Sequence, residues 1–503
     1  MGELGPGQFG AFFQELWGYE PFPWQAALAE RVLTRPAQPW PEAIAVPTAS
    51  GKTACLDVAV FALAAAAGQG FSAPRRIWFV VDRRVIVDEA HERAKRLGAR
   101  LGEARQGVVA EVAERLRELS GGGPPLSAHL LRGGVYRDDG WARSPLQPAV
   151  ISSTVDQFGS RLLFRAYGRS PRAWPIQAGL AGNDSLVLLD EAHCARPFLE
   201  TLRAVGRYRG LGAEALSAPF QAVVLSATPP TDTEDRHDLG PADRSHPVLG
   251  PRLRASKPAK LLPPVVAKGK GAGLAEVLAR EAEALIDPEA GRFAVVVFCN
   301  RVATAKAVHG LLPGGRDRDV VLLTGRMRPI DKDDTVRNWL DRLSAALAGT
   351  RRLDRPVIVV ATQTLEVGAN LDFDGLVSEC ASLDALRQRM GRLNRAGRKD
   401  VLARAVLVTS DDQAVQSDDD PVYGAALAKT WQWLQGQAGE NAEVDFGIEA
   451  LGPRLAGVGD LASLNAPERH APVLLPAHLD AFVQTAPVPW PSPDPSLFLH
   501  GPE

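Results

Sequence analysis

The chain has 503 residues, of which 45% are hydrophobic and 23% are charged, and its formal net charge is −2. This length allows two or three domains that each bury a core, and the composition is typical of a soluble globular protein. A nearly neutral chain has no global attraction to nucleic acid, so any surface that binds a polyanion is expected to be local. The longest apolar run, which begins at Val58, is too short to span a bilayer, and we expect a cytoplasmic protein without membrane contact.

Short runs rich in Val, Ile and Leu alternate with helical patterns along most of the chain. In the first half, buried strands are predicted at residues 42–47, 76–81, 148–153, 185–190 and 221–226. In the second half, they are predicted at residues 293–300, 319–324, 356–362 and 403–410. Alternation of strands and helices predicts an α/β fold with parallel sheets that are covered on both faces.

Breaks in this alternation set the predicted domain boundaries. A polar, Pro-rich stretch follows the first strand series and is predicted to be a linker. The second series is followed by a helix that carries Trp431 and Trp433, which are predicted to be core residues rather than base-stacking ones. The predicted parts are a first domain at residues 1–232, a linker at 233–275, a second domain at 276–412 and a partial C-terminal accessory segment at 413–503.

The segment "AIAVPTASGKTACLDVAVF" has the pattern of a strand, a loop and a helix. The unpaired backbone N–H groups at the start of such a helix suit a phosphate. Lys52 is expected to reach the β- and γ-phosphates of ATP, and Thr53 is expected to ligate Mg²⁺. The residues predicted to line this nucleotide site are Thr48, Ala49, Ser50, Gly51, Lys52 and Thr53.

The segment "LVLLDEAH" at 186–193 is a buried strand that ends in two carboxylates, Asp190 and Glu191. Asp190 is predicted to hold Mg²⁺ through water, and Glu191 is predicted to orient and deprotonate the attacking water. Two acids after a strand are also typical of helix capping. The phosphate-binding pattern elsewhere in the same domain favours the catalytic interpretation.

The segment "QRMGRLNRAGR" at 388–398 places Arg392 and Arg395 three residues apart, on one face of a predicted helix. Gln388 lies one further turn back on that face. The two arginines are predicted to neutralise charge on the departing phosphate, and the alternative is a solvated basic helix.

In chain order, five segments resemble motifs I, II, III, V and VI of the superfamily 2 helicases. They are "VPTASGKT", "DEAH", "SATPP", "ATQTLEVGANLDFD" and "QRMGRLNRAGR", and the resemblance covers about residues 20–410. The segments "STVDQFGSRLLFRAYG" and "VYGAALAKTWQWL" are similar, more narrowly, to the helicase subunit of type I CRISPR interference. The segments "VVDRRVIVDEA" and "LLTGRMRPIDKDD" and the C-terminal tail resemble its I-G subtype, formerly I-U. This family implies two tandem RecA-like domains.

The resemblance also implies roles for individual residues. Gln25 would read the adenine edge, and Gly368 and Asn370, which stand where many relatives carry Ser and Asp, would lie at the ribose. Ala49 replaces a glycine that is common in superfamily 2. His193, Ser226 and Thr228 would couple hydrolysis to movement. The residues implied to line a track for a single nucleic-acid strand are Arg83, Arg84, Ser153, Thr154, Gln157, Asn300, Thr324, Arg326, Thr362 and Gln363. For each of them, local turn or cap chemistry is the alternative.

The function implied by the family is that of an ATP hydrolase and helicase that moves on single-stranded DNA. It would be recruited by the Cascade surveillance complex and would act on the non-target strand of the R-loop, so that an HD nuclease can degrade the DNA. His237-Asp238 lacks supporting histidines and is predicted to be a solvated part of the linker, so the nuclease is expected on a separate chain or beyond residue 503. The alternatives are a superfamily 2 RNA helicase, a restriction-type translocase, and an ATP-gated nucleic-acid clamp without productive turnover.

Overall fold

A computed structural model describes the chain except for a set of short segments. These are residues 1–3, 70–71, 83, 134–137, 212–215, 217, 231, 267–271, 326, 328–338, 340, 346–349, 352, 367–369, 400, 416–419, 440 and 503. Arg83, Arg326 and Gly368 therefore lie outside the described residues, as do the side chains of Arg84 and His193. The chain divides into two compact units, Met1–His246 with Glu468–Glu503, and Pro247–Pro467.

The first unit is built on a seven-stranded sheet in which all neighbouring strands are parallel. Strands β1 to β7 are Ala43–Ala45, Arg76–Val81, Ser127–Leu131, Ala149–Thr154, Ser185–Asp190, Phe220–Leu225 and Arg236–Asp238. Their order across the sheet is β3-β4-β2-β5-β6-β1-β7. Strands β2, β4 and β5 are buried along their whole length, as parallel strands covered on both faces should be.

The α-helices described in the first unit come from both ends of its sequence. Those in the N-terminal part are Phe9–Trp17, Pro23–Thr34, Cys55–Gln69, Arg84–Glu103, Gly107–Leu119, Val155–Leu162, Trp174–Gly182, Arg196–Arg209 and Pro241–Ser245. The C-terminal part adds Pro476–Val483 and Ser496–His500. Phe482, Phe498 and Leu499 of this part are buried in the same apolar cluster as Phe158 and Phe198, so the tail completes the core of the first unit.

The second unit has its own seven-stranded sheet, with the order β10-β11-β9-β12-β13-β8-β14. Strands β8 to β14 are Pro258–Leu261, Ala294–Phe298, Asp319–Leu323, Val357–Ala361, Gly375–Glu379, Arg404–Val408 and Glu443–Asp445. All pairs are parallel except β8 with β14, which is antiparallel. The described α-helices are Leu249–Arg254, Ala272–Leu285, Val302–Leu311, Leu383–Met390, Asp411–Val415, Ala426–Gln437 and Ile448–Ala456.

The nine predicted strands are present, and both sheets are α/β as expected. Trp431 is buried in the apolar cluster of the second unit and Trp433 packs against that cluster, which confirms the prediction that both are core residues. Within the described residues, no helix combines the length and the apolar character that crossing a membrane requires.

The structure differs from the predicted linker and accessory segment. The region 233–275 contributes β7 to the first sheet and β8 to the second. The accessory segment 413–503 is divided, because residues up to 467 pack in the second unit and the remainder packs in the first. Strands β7 and β8 are short and partly exposed, so neither carries the apolar run that marks a buried strand.

Candidate nucleotide-binding site

The predicted phosphate-binding loop follows β1 and enters a helical turn at Lys52–Ala54, which continues into the helix Cys55–Gln69. Ala49 and Gly51 both have left-handed backbone conformations, with φ of 68° and 77°. A Cβ atom at Gly51 would lie 2.9 Å from Gln25 Nε2. The left-handed φ therefore favours glycine at this position, and a Cβ atom there would also force the Gln25 side chain to shift.

Lys52 forms an ion triad with the two predicted carboxylates. Its Nζ lies 2.6 Å from Glu191 Oε1 and 3.3 Å from Asp190 Oδ1. The three residues meet because the loop follows β1 and the acids follow β5, with only β6 between these parallel strands. The side chains of the triad are almost completely buried.

Burial and charge act in opposite directions within this triad. Burial disfavours a charged lysine, but Asp190 and Glu191 outweigh it and raise the pKa of Lys52 above its ordinary value. Burial raises the pKa of Asp190 to about 6, although the nearby ammonium opposes the rise. The triad therefore holds a firmly protonated lysine between two carboxylates, which is the arrangement expected where a polyphosphate can replace a carboxylate as the partner of the lysine.

The side chains of Gln25 and its neighbour Trp24 donate hydrogen bonds to the backbone of the loop. Gln25 Oε1 accepts the backbone N–H of Phe22 at 2.9 Å, and its Nε2 donates to the carbonyl of Gly51 at 3.1 Å. Trp24 Nε1 donates to the carbonyl of Ser50 at 3.0 Å. Trp24 was not among the predicted site residues, and the only signal for it in the sequence is its position beside Gln25.

Ser226 connects the site to the end of β6. Its backbone N–H donates to Ile44 in β1 at 3.2 Å, and its hydroxyl accepts the N–H of Thr228 at 3.1 Å. The N–H of Glu191 donates to Leu225 at 2.9 Å, and Glu191 itself has a left-handed φ of 50°. The turn after β6 therefore lies next to Glu191 of the triad. The role predicted for Ser226 and Thr228, which is to couple hydrolysis to movement, requires such a position.

The residues present fit a phosphate and a divalent cation. The hydroxyl of Ser50 is buried and has no hydrogen-bond partner within the described part of the chain, so it can donate to a phosphate oxygen. The Thr53 hydroxyl and the Asp190 carboxylate are hard oxygen ligands of the kind that Mg²⁺ takes in nucleotide sites. Thr48 and Ala49 are half-buried beside them.

A buried acid on the helix after the loop was missed by the sequence analysis. Asp57 is fully buried and accepts Trp17 Nε1 at 2.8 Å and Arg93 Nε at 2.8 Å. The guanidinium of Arg93 also lies over the Trp17 ring, 4.2 Å from its centroid. Asp57 therefore joins the helix Cys55–Gln69 to the helix Arg84–Glu103.

In the second unit, the prediction that Arg392 and Arg395 share a helix face is wrong. The helix ends at Met390, Gly391 caps it, and Asn394 adopts a left-handed φ of 39°. Arg392 is buried, and its Nε and Nη2 donate to the carbonyls of Leu365 and Glu366 at 3.0 and 2.9 Å. Gln388 is half-buried on the helix itself. The phosphate-neutralising role of these residues stays a prediction.

Comparison with known proteins finds similarity to CRISPR-associated helicases. Residues 291–398 match the family described as "CRISPR-associated nuclease/helicase Cas3, C-terminal". A stretch of 172 residues is 27% identical to the CRISPR-associated nuclease/helicase Cas3 of Haloferax volcanii. This match covers 33% of this chain and 17% of that protein. Both matches are to Cas3-type helicases, and both cover less than half of this chain.

Solved structures show the same fold. The T. fusca Cas3–ADP structure matches with a TM-score of 0.60 and 19% identity, over 98% of this chain and 58% of that one. The T. fusca Cas3–AMPPNP structure matches with a TM-score of 0.58 and 19% identity, over 90% of this chain and 54% of that one. A chain of a CRISPR RNA-guided surveillance complex in a pre-nicking state matches with a TM-score of 0.54 and 18% identity, over 88% of this chain and 51% of that one. The chain thus spans little more than half the length of these structures, and the I-G subtype stays a prediction.

The residues of the first unit that are predicted to line the nucleic-acid track make local contacts. Ser153 is buried, and its hydroxyl donates to the carbonyl of Thr154 at 3.0 Å. Thr154 is also buried, at the start of the helix Val155–Leu162. Gln157 Oε1 accepts Arg161 Nη1 at 2.9 Å. Ser153 and Gln157 thus use their side chains in local contacts, and the nucleic-acid role of these residues stays a prediction.

The track residues of the second unit are partly linked to one another. Gln363 Nε2 donates to the carbonyl of Asn300 at 2.8 Å, and Asn300 is buried. Thr324 and Thr362 are buried as well, and Thr362 Oγ1 lies 3.2 Å from Thr364 Oγ1. Asn370, implied at the ribose, is half-buried, and its carbonyl accepts the N–H of Ala345 at 2.8 Å.

His237 is not the solvated linker residue that was predicted. It lies in β7, opposite Ile44 of β1, and its Nε2 is 2.8 Å from the carbonyl of Trp24. Burial lowers the pKa of this histidine below its ordinary value. In the part of the chain that the structure describes, no group of three or more His, Cys, Asp and Glu residues is placed to hold a metal ion.

Proposed function

We propose that this chain is an ATP-driven motor that moves along single-stranded DNA in type I CRISPR interference. The observation that carries the proposal is the buried triad of Lys52, Asp190 and Glu191 at the carboxyl ends of two parallel strands. The matched T. fusca proteins are described in complex with AMPPNP and with ADP, and another matched chain is part of an RNA-guided surveillance complex. These relatives support ATP as the substrate and a Cascade-type complex as the partner.

The triad suggests how ATP binding prepares the site for hydrolysis. Lys52 is charged and donates a hydrogen bond to Glu191. Phosphate oxygens would compete with Glu191 for this ammonium, and the glutamate would then be free to take a proton from the attacking water. Thr53, and Asp190 through water, would hold Mg²⁺, which when bound would supply positive charge to the phosphates. Lys52 thus keeps the base inactive until substrate is bound.

The remaining parts of the proposal concern the strand and the partners. The hydroxyl and amide side chains at strand ends in both units suit bonds to phosphate oxygens, which do not depend on base sequence. A motor that slides along a strand needs such contacts. We therefore assign the non-target strand of an R-loop as its substrate and an HD nuclease, carried by another chain or by a further domain, as the enzyme that cuts it.

The experiment that tests the proposal is steady-state ATP hydrolysis by the wild type and Lys52→Ala, without nucleic acid, with single-stranded DNA and with single-stranded RNA. We expect hydrolysis that DNA stimulates strongly and RNA does not, and that Lys52→Ala abolishes. Stimulation by RNA alone would move the chain to the RNA helicases. Hydrolysis that neither polymer stimulates, or that survives Lys52→Ala, would overturn the proposal.

A further inference from the structure

A fully buried arginine lies at the centre of the second unit. Arg389 has no exposed surface, and its guanidinium lies 5.5 Å from the ring centroid of Phe298. Its Nε and Nη2 donate to Glu366 Oε1 at 2.8 and 2.6 Å. The other acceptors are Ser378 Oγ, the Glu379 carbonyl, Asn300 Oδ1 and the Tyr423 hydroxyl, at 2.8, 2.9, 2.8 and 2.9 Å.

These contacts join segments that are distant in the sequence. Asn300 follows β9, Glu366 lies in the segment that resembles motif V, and Arg389 is on the helix of motif VI. Tyr423 comes from the segment predicted to be accessory, and it is also buried. A single guanidinium therefore links motif VI to the segment that resembles motif V, to strand β12 and to two residues outside the motifs, Asn300 and Tyr423.

The same network includes residues that are predicted to contact the nucleic acid and a residue that is predicted to act on the departing phosphate. Asn300, held by Arg389, accepts Gln363 Nε2 through its carbonyl, and both residues are predicted to contact the nucleic-acid strand. Glu366, the ion-pair partner of Arg389, accepts Arg392 Nη2 through its carbonyl. Arg392 is predicted to act on the departing phosphate. A displacement of Asn300 or Gln363 would therefore be transmitted to Arg392 through a short chain of hydrogen bonds and one ion pair.

We propose that Arg389, with Tyr423, is the positioning pair that transmits occupancy of the nucleic-acid track to the motif VI arginines, an inference that rests on the proposed DNA-stimulated hydrolysis. A purely structural role explains less. A buried ion pair contributes little net stability compared with apolar side chains of the same size, because desolvation offsets the attraction. The Tyr423 hydroxyl is also unnecessary for packing, since a phenylalanine would fill the same space.

The test compares Tyr423→Phe with the wild type in the full chain. It measures hydrolysis without DNA, the maximal DNA-stimulated rate, the DNA concentration at half-maximal stimulation and the KM for ATP. The variant removes the hydroxyl that accepts from Arg389 at 2.9 Å and from Gln363 Nε2 at 3.5 Å and that donates to Glu366 Oε1 at 3.5 Å. Loss of the bond to the charged guanidinium predicts that stimulation weakens about tenfold, in the maximal rate or in the half-maximal concentration. Hydrolysis without DNA and the KM for ATP should not change. Arg389→Lys, which keeps the charge but loses the planar fork, should weaken stimulation more than Tyr423→Phe does.

The matched control is Tyr208→Phe, which removes a tyrosine hydroxyl that donates to the carbonyl of Leu474 at 2.7 Å in the first unit. This variant should keep the stimulation of the wild type. Stimulation of Tyr423→Phe equal to that of the wild type would overturn the coupling role and leave the proposed function intact. A wild type that DNA does not stimulate would overturn the proposed function, and the coupling role with it. Equal losses in Tyr423→Phe and Tyr208→Phe would show a general stability effect and would also overturn the coupling role.

Discussion

At the scale of single residues, the buried triad places Lys52 against both predicted catalytic carboxylates. Lys52 Nζ is closer to Glu191 than to Asp190, so its ammonium group pairs most closely with the carboxylate that is the predicted general base. The sequence predicted all three residues, because each follows a strongly apolar strand. It could not predict their pairing, which depends on the strand order β5-β6-β1.

Glu191→Gln should separate nucleotide binding from hydrolysis. Without the carboxylate, the hydrolysis rate should fall by about 10²–10⁴-fold, because no group remains to take the proton of the attacking water. ATP affinity should be kept or increased, since Lys52 loses its competing anion. Single-turnover hydrolysis and equilibrium binding of a fluorescent ATP analogue measure the two effects. The control is Glu200→Gln, whose carboxylate pairs with His470 in the same unit. Hydrolysis by Glu191→Gln at the wild-type rate would contradict the assignment of the base.

Ala49→Gly should stabilise the chain, although glycine usually destabilises. Ala49 has a φ of 68°, and a left-handed conformation costs a non-glycine residue about 1–2 kcal/mol. Glycine removes this strain and loses about 0.5–1 kcal/mol of chain entropy, so the free energy of unfolding should rise slightly. Urea denaturation measures the change. Ala64→Gly, within the helix Cys55–Gln69, is the control and should destabilise. A clear loss of stability in Ala49→Gly would refute the strain argument.

At the scale of elements, the tail helix Ser496–His500 packs on the helix Val155–Leu162. Leu499 is buried, and the Thr201 hydroxyl donates to the carbonyl of Phe498 at 2.6 Å. Arg165 Nη1 donates to the carbonyl of Phe482 at 2.6 Å. These bonds use backbone carbonyls of the tail, which no sequence pattern identifies.

Gly159→Ala and Leu499→Ala should show strong non-additivity. A methyl group at Gly159 would overlap Leu499 Cδ2, so Gly159→Ala should destabilise by about 1–3 kcal/mol. Leu499→Ala should cost about 2–5 kcal/mol because it opens a cavity. In the double variant the new methyl group occupies part of that cavity, so the loss should be smaller than the sum. Urea denaturation of the four proteins tests this, and additive losses would show that the tail does not pack on this helix.

The pair of His500 and Asp156 should make tail docking depend on pH. His500 Nε2 lies 2.8 Å from Asp156 Oδ1, and this hydrogen bond raises the pKa of His500 above its ordinary value, with Asp82 adding to the rise and Arg469 opposing it. The stabilisation is therefore present at low pH and is lost as the pH rises through the raised pKa. Both side chains are partly exposed, so the effect should be small.

The measurement is the difference in urea midpoint between the wild type and His500→Gln, at pH 6 and at pH 9. The difference should be larger at pH 6. Asp156→Asn serves as the control for the partner and should show the same dependence. A difference that does not change with pH would contradict the ion-pair contribution.

Most of the predicted strands share one property. All of the nine predicted strands except β1 contain consecutive Val, Ile or Leu residues. The missed strands β3, β7 and β14 are partly exposed and lie at sheet edges, as the predicted strand β10 also does. Strand β12 is central but contains Ser378 and Glu379, and both are used by Arg389. It was missed because its polar residues have partners that only the fold brings near.

At the scale of the whole molecule, each unit is completed by residues outside its predicted domain. The first unit takes Glu468–Glu503 from the far end of the chain, and the second unit takes β8 from the predicted linker. Local patterns cannot reveal such exchanges, because the tail is Pro-rich and contributes only isolated apolar side chains such as Phe482 and Leu499. The two-domain α/β fold was predictable, but its boundaries were not.

We propose that ATP hydrolysis by this chain drives movement along single-stranded DNA. The most direct test is release of streptavidin from the biotinylated end of a single-stranded DNA, with ATP, without ATP, and with Lys52→Ala as the inactive control. We expect release that requires ATP and is lost in Lys52→Ala. DNA-stimulated hydrolysis by the wild type without any ATP-dependent release from either end of the strand would contradict it, and would identify the chain as a clamp that hydrolyses ATP but does not move.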